Sequence, residues 1–112
     1  MMNIQIFGKN KCFDTKKAER YFKERKIKFQ RIDIIDVGLS PGEFRSIKSA
    51  VGLEAMTDKS ADGAEILQYL AYDTDKEEKL LENPKFIKTP IVRNGKKATV
   101  GYTPDVWKNW EE

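Results

Sequence analysis

The stretch Ile4-Gln5-Ile6-Phe7-Gly8-Lys9-Asn10-Lys11-Cys12-Phe13-Asp14-Thr15-Lys16-Lys17-Ala18-Glu19-Arg20-Tyr21-Phe22 changes period in its middle, and that change decides the fold. Ile4, Ile6 and Phe7 follow an uncharged start and stop at Gly8, which predicts a short buried strand. After a loop over residues 8–11 the apolar spacing turns helical. Ala18, Tyr21, Phe22 and Arg25 share one face, and Lys16, Lys17, Glu19, Arg20, Lys23 and Glu24 face water. The helix therefore begins at or just before Cys12. Phe29, Ile32 and Ile34 make a second strand, and a strand–helix–strand crossover of this kind is right-handed with its strands parallel.

Further along, Ser40-Pro41-Gly42-Glu43 is a capping box with proline at the first helical position, leading to Phe44, Ile47 and Val51 and ending at Gly52. Ser60 is expected to open another helix with Ala64, Leu67, Leu70 and Ala71 inside, although Gly63 weakens it by about 1 kcal/mol relative to Ala. Thr74-Asp75-Lys76-Glu77 reads as a second capping box, before Leu80 and Leu81 and a stop at Asn83-Pro84. Pro90-Ile91-Val92-Arg93 and residues 97–100 flank Asn94-Gly95, which predicts an antiparallel hairpin on a type I′ turn. Thr103-Pro104-Asp105 caps a last helix carrying Val106, Trp107 and Trp110, whose spacing suits packing. The expectation is an α/β architecture: one four-stranded mixed sheet covered by helices, with a helical segment between strands 2 and 3.

At 112 residues the chain is expected to form a single domain over residues 1–112, burying about two thirds of its unfolded surface. Its longest uninterrupted apolar run is four residues, Tyr69-Leu70-Ala71-Tyr72, so neither a membrane span nor a secretory leader is expected. There is no histidine and one cysteine, which excludes Ser-His-Asp and Cys-His catalysis, structural zinc and an internal disulfide. A lone thiol without export signals suggests a soluble protein of the reducing cytoplasm. Residues 9–31 carry ten Lys/Arg against three Asp/Glu, whereas residues 32–112 carry 11 against 15. That lopsided charge lacks interleaved exposed aromatics, so nucleic-acid binding is not expected. Asp73, Asp75, Glu77 and Glu78 cluster where a helix N-terminus wants acids, and no carboxylate pair, metal set or glycine-rich phosphate loop emerges.

Cys12 stands where a thiol is activated: after a buried strand, at the amide-rich start of a helix, among Lys9, Lys11, Lys16 and Lys17. Such settings lower a thiol pKa from about 8.5 to roughly 3.5–7.5. Thr15, one turn on, has a hydroxyl to offer the sulfur. The competing reading is a small buried cysteine and a surface threonine.

These residues resemble a known family. Phe7-Gly8, Cys12, Thr15 and Lys17-Ala18 look like the opening of the ArsC/Spx branch of thioredoxin-like (glutaredoxin-like) proteins. Leu81-Glu82-Asn83-Pro84, Lys88-Thr89-Pro90-Ile91-Val92, Gly95-Lys96 and Val100-Gly101-Tyr102 look like its closing half. The resemblance implies Cys12 as nucleophile and a cis peptide bond between Thr89 and Pro90, where the Thr89 N–H and C=O would pair with an extended thiol substrate. It also implies arginines around the thiol in arsenate reductases, one of them where Thr89 stands here and another near Asp58. An acid opposes an oxyanion, and Lys9, Lys11, Lys59 or Arg93 would have to substitute without the planar fork of an arginine pair. Spx-type regulators often carry a second cysteine where this chain has Thr15, so no internal redox switch can form.

The function this implies is a cytoplasmic monothiol oxidoreductase resembling glutaredoxin-dependent arsenate reductase. Its Cys12 thiolate would attack an oxyanion or a disulfide, with Lys9, Lys11 and Thr15 stabilising the anion and Thr89, Pro90, Arg93 and Lys59 receiving the substrate. With no second cysteine, glutathione, another small thiol or a glutaredoxin must resolve the adduct, and no bound cofactor or metal is expected. The alternative is a non-catalytic Spx-like module docking on RNA polymerase through the basic face of Lys16, Lys17, Arg20, Lys23 and Lys26. A third reading is a degenerate relative whose thiol only becomes glutathionylated. A monomer is expected.

Overall fold

The computed structural model describes residues 3–110; the outermost two residues at each end of the expected 1–112 unit lie outside the described residues. Four strands form one mixed sheet in the order β2-β1-β3-β4, with β1 at Ile4–Gly8, β2 at Phe29–Asp33, β3 at Ile91–Asn94 and β4 at Lys97–Val100. β1 and β2 are parallel, with Phe7 opposite Ile32, and β3 runs antiparallel to both β1 and β4. The uncharged start thus becomes one of the two central strands, β1 and β3, whose side chains enter cores on both faces of the sheet.

The alternation along β1 sends side chains to two cores. Ile4 and Ile6, with Val92, meet Ala18, Tyr21 and Phe22 of α1 (Phe13–Glu24) and Trp107 of α5 (Pro104–Trp110). Trp107 is fully buried, its ring 5.2 Å from those of Tyr21 and Phe22, and its Nε1–H donates to Thr99 Oγ1 at 2.8 Å. Phe7 and Ile91 point the other way, into the helical segment between β2 and β3. There they pack with Phe44 and Ile47 of α2 (Pro41–Val51), Met56 of α3 (Leu53–Met56), Leu80 of α4 (Asp73–Glu82) and Phe86. The Ser40 box forms as expected: Glu43 N–H donates to Ser40 Oγ at 3.1 Å and Ser40 N–H to Glu43 Oε1 at 3.0 Å. Among the described residues no helix is long and apolar enough to cross a membrane.

Three local expectations are corrected. Ser60 does not open an α-helix: its N–H and hydroxyl both donate to Asp58 Oδ1, at 3.0 and 2.7 Å, closing a turn instead. Gly63 adopts φ +88° and a 3-10 segment, Ala64–Tyr69, follows, leaving Leu70 half-buried and Ala71 exposed. Thr74 is not a cap, because α4 starts at Asp73 and the Glu77 carboxylate that the box requires accepts instead from Lys48 Nζ of α2 at 2.8 Å. The hairpin turn is shifted by one residue. Asn94 pairs with Lys97 inside the ladder, so Gly95 (φ +63°) and Lys96 form the two-residue loop. Only the first of these has positive φ, the requirement of a type II′ rather than a type I′ turn. Asn3 N–H donates to Asn94 Oδ1 at 3.2 Å, which holds Asn94 in the strand.

Candidate active site

The end of β1 and the start of α1 meet unusually closely. A Cβ placed on Gly8 would lie 2.3 Å from Thr15 Cγ2, so the approach exists only because residue 8 is glycine. Between them, Cys12 N–H donates to Lys9 C=O at 3.2 Å and closes the loop, leaving Cys12 in extended backbone as the N-cap of α1. Its side chain is half-buried.

Opposite the sulfur runs the approach to β3. The Thr89–Pro90 peptide bond is cis, Pro90 is buried, and the Cys12 thiol donates to Thr89 C=O at 3.6 Å. Pro90 C=O accepts from Gly101 N–H at 2.8 Å, which brings Tyr102 to the same edge.

Burial pushes the Cys12 thiol up, but the Thr15 and Thr89 side chains and the backbone N–H groups of Thr15 and Asp14 outweigh it, so the thiol lies below its ordinary value. Thr15 is fully buried, and its Oγ1 meets no partner in hydrogen-bonding geometry. A buried hydroxyl without a partner costs about 1–3 kcal/mol, and an ionised sulfur supplies the acceptor it lacks. Each of these contacts favours the charged form of the sulfur.

The expected cations divide. Lys9 comes to the site: its Nζ donates to Lys85 C=O at 3.0 Å, lies 3.9 Å from Asp58 Oδ2 and interacts electrostatically with Cys12. Burial pushes the Lys9 ammonium below its usual value, while the charges of Asp58 and Cys12 pull it back. Lys11 is exposed on the loop. Arg93 is held elsewhere: its guanidinium donates to Gly95 C=O at 3.1 Å, and to Gln5 Oε1 and Ser46 Oγ at 3.2 Å each. It therefore lies toward the Gln5 end of β1, away from the Gly8 end that carries the thiol loop. Lys59 pairs with Glu54, and both line a cavity of about 670 Å³ with Leu53, Thr57 and Leu67. The structure does not bring Arg93 or Lys59 to the sulfur.

The sequence named Asp58 only as an acid opposing an oxyanion, and it did not single out Phe13. Asp58 is anchored on three sides, by its N–H to Phe86 C=O at 2.7 Å and by the two bonds from Ser60. Phe13, beside Cys12, is 78 % exposed. Its signal was present: an aromatic at the first helical position on the water side breaks the amphipathic pattern.

Residues 7–110 match the ArsC family. The chain belongs to that family. Over 110 residues it is 28 % identical to the global transcriptional regulator Spx 2 of Oceanobacillus iheyensis, covering 93 % of this chain and 80 % of that protein. The arsenate reductase structure from Vibrio cholerae superposes with a TM-score of 0.85 at 21 % identity, over 96 % of this chain and 97 % of the other. The glutaredoxin-like protein NrdH-redoxin from Escherichia coli superposes with a TM-score of 0.51 at 19 % identity, over 96 % and 93 %. The ArsC chain therefore has the α/β thioredoxin-like fold, with a four-stranded mixed sheet and its helical segment between β2 and β3.

Proposed function

We propose that this ArsC-family chain is a monothiol thiol–disulfide oxidoreductase with Cys12 as its nucleophile. The observation that carries the reading is the buried, unmatched Thr15 hydroxyl beside a thiol that faces the Thr89 carbonyl at 3.6 Å. Thr15, Thr89 and the first amides of α1 stabilise the thiolate. Lys9 and Lys11 supply positive charge at the loop, but Asp58 and the Lys85 carbonyl already hold the Lys9 ammonium. That shared cation favours an uncharged disulfide over a free oxyanion such as arsenate, whose desolvated charge needs unshared, forked donors.

In the cycle, the Cys12 thiolate attacks one sulfur of a disulfide. A Cys12–S bond forms, the substrate S–S bond breaks, and the second substrate sulfur leaves as a thiolate. Thr89, next to Pro90, offers backbone N–H and C=O to the incoming chain in the manner of an added strand. Glutathione, another small thiol or a glutaredoxin then attacks the adduct and releases Cys12 as thiolate. A second reducing thiol completes the exchange, so two thiols are oxidised to one disulfide for each substrate disulfide reduced. The chemistry belongs to the cytoplasm, where those thiols are abundant.

The test is turnover of hydroxyethyl disulfide with glutathione alone and, side by side, of arsenate with glutathione and glutaredoxin, each read as the rate above that of the same mixture without the protein. Native protein is expected to reduce the disulfide and Cys12→Ser to be inert. Equal turnover by the serine variant refutes the proposal.

The identity with Spx 2 favours a second reading, a regulatory module that docks on RNA polymerase through the exposed Lys16, Lys17, Arg20, Lys23 and Lys26. Recovery of polymerase by Cys12→Ser as efficiently as by native protein, with no disulfide turnover, selects it.

A further inference from the structure

The thiol is flanked on the α1 side by two aromatic side chains that keep much of their surface exposed. Phe13 is 78 % exposed and Tyr102 42 % exposed, and no core residue covers the outer face of either. Two ammonium groups lie over them: Lys16 Nζ is 5.9 Å from the Phe13 ring centre and Lys17 Nζ 5.7 Å from that of Tyr102. Tyr102 is tied to the site through the bond between Gly101 N–H and Pro90 C=O, and its ring leans on Trp107 at 5.6 Å. Phe13 directly follows the nucleophile. Two aromatic surfaces and two lysines thus flank the sulfur and the proline on the α1 side.

We infer that this rim docks an acidic polypeptide that carries the reacting disulfide, with Phe13 and Tyr102 as aromatic anchors and Lys16 and Lys17 as the charges that steer it. The inference deepens the oxidoreductase reading by naming its substrate class. A small disulfide such as that of glutathione needs only the sulfur and the Thr89 backbone, not a rim that runs about one helical turn along α1. Exposed aromatics ringed by charge are the composition of a protein-binding hot spot, in which an apolar centre gives residence and the charges set partner choice and on-rate. The sign of the partner follows from complementarity. Residues 9–31 carry ten basic against three acidic side chains, and Arg20 and Lys23 continue the exposed positive face along α1. A basic or neutral chain gains nothing from this field.

The experiment separates docking from chemistry. Two fluorescent peptides are compared, each with a central glutathionylated cysteine, one flanked by Glu and Asp and the other by Lys. Binding to Cys12→Ser is read by anisotropy, and exchange with the native protein by stopped-flow. The acidic peptide is expected to bind at least about tenfold tighter than the basic one at low salt, and the gap to shrink to about threefold in 0.5 M salt. Lys16→Glu with Lys17→Glu, and separately Phe13→Ser, should weaken the acidic peptide about fivefold or more. Lys96→Glu with Lys97→Glu makes the same change in net charge at the exposed hairpin tip and should leave binding within about twofold. Equal binding of both peptides, or an equal loss from the hairpin-tip variant, overturns the rim. So does self-association of the protein that displaces the peptide and vanishes with the Lys16 and Lys17 changes, since the occupant would then be a second copy. Preferential binding without exchange leaves the rim standing and sinks the oxidoreductase reading. Exchange without preference does the reverse.

Discussion

Replacing Thr15 by Val tests the thiol's surroundings with the smallest available change. The two side chains have the same shape, so the packing against Gly8 survives and only the buried hydroxyl is removed. A hydrogen bond to a charged group is worth about 1.5–3 kcal/mol, and a sulfur only half-buried argues for the low end. At about 1.4 kcal/mol per factor of ten, the thiolate population falls roughly tenfold wherever the thiol is mostly protonated. A more basic thiolate is also a better nucleophile, and a Brønsted coefficient of about 0.4–0.5 returns roughly a factor of three. Alkylation by iodoacetamide should therefore be about threefold slower on the acid limb and about threefold faster on the alkaline plateau, so that the two pH–rate profiles cross. Because the chain has one cysteine, the mass of the intact protein reports that site alone. Stability should move the other way: the variant no longer buries an unmatched hydroxyl, so at acid pH its Tm equals or exceeds that of the native protein. Superimposable profiles, or a lower Tm with an unchanged profile, would refute the assignment of Thr15 as the thiolate's donor.

The depressed thiol carries a linkage of definite sign. Its ionisation contributes stability that is fully present above the unfolded thiol value of about 8.5 and is lost as pH falls through the folded value; Tm of the native protein minus that of Cys12→Ser should rise with pH across that window. Gly8→Ala drives a methyl group into Thr15, and overpacking of this kind costs about 1–3 kcal/mol, so thermal unfolding should come roughly 5 °C or more earlier. Asp58→Asn leaves the Lys9 ammonium beside Cys12 without its counter-charge. The alkylation profile should then move to lower pH, with rates about threefold higher on the acid limb, and inorganic arsenate should begin to protect the thiol; an unmoved profile would mean that Asp58 does not shield the site.

The legibility of this molecule followed the range of its interactions. β1, α1 and the Ser40 cap were readable because an uncharged run, a helical stripe and a capping box each declare themselves within a dozen residues. Cys12 at the N-cap followed from the same short stretch, and the cis bond at Thr89–Pro90 came from the family resemblance. Ser60 failed locally, drawn into a turn by Asp58 two residues before it, but the other failures were decided at a distance. Glu77 left its expected box for Lys48, and Asn94 stayed in its strand for Asn3. Arg93 was taken up by Gln5 and Ser46, 88 and 47 residues away in the chain. Thr15 was named as a donor, but its burial against Gly8 and its unmatched hydroxyl exist only once β1 and α1 touch.

The helical segment is fastened beside the sulfur by a miniature ladder. Thr57 bridges Ile87, Asp58 N–H donates to Phe86 C=O, and Lys88 N–H donates to Met56 C=O, both at 2.7 Å. All of these are backbone bonds, indifferent to the side chains they carry. The main chain of residue 58 is therefore held by the ladder, while its carboxylate is engaged separately by Ser60 and Lys9. An exchange of acid for base there would change the charge that faces the thiol while the main-chain clip, the strands and the cis proline stay in place. The charge nearest the thiol loop thus rides on an arm clipped to the sheet rather than on the sheet itself.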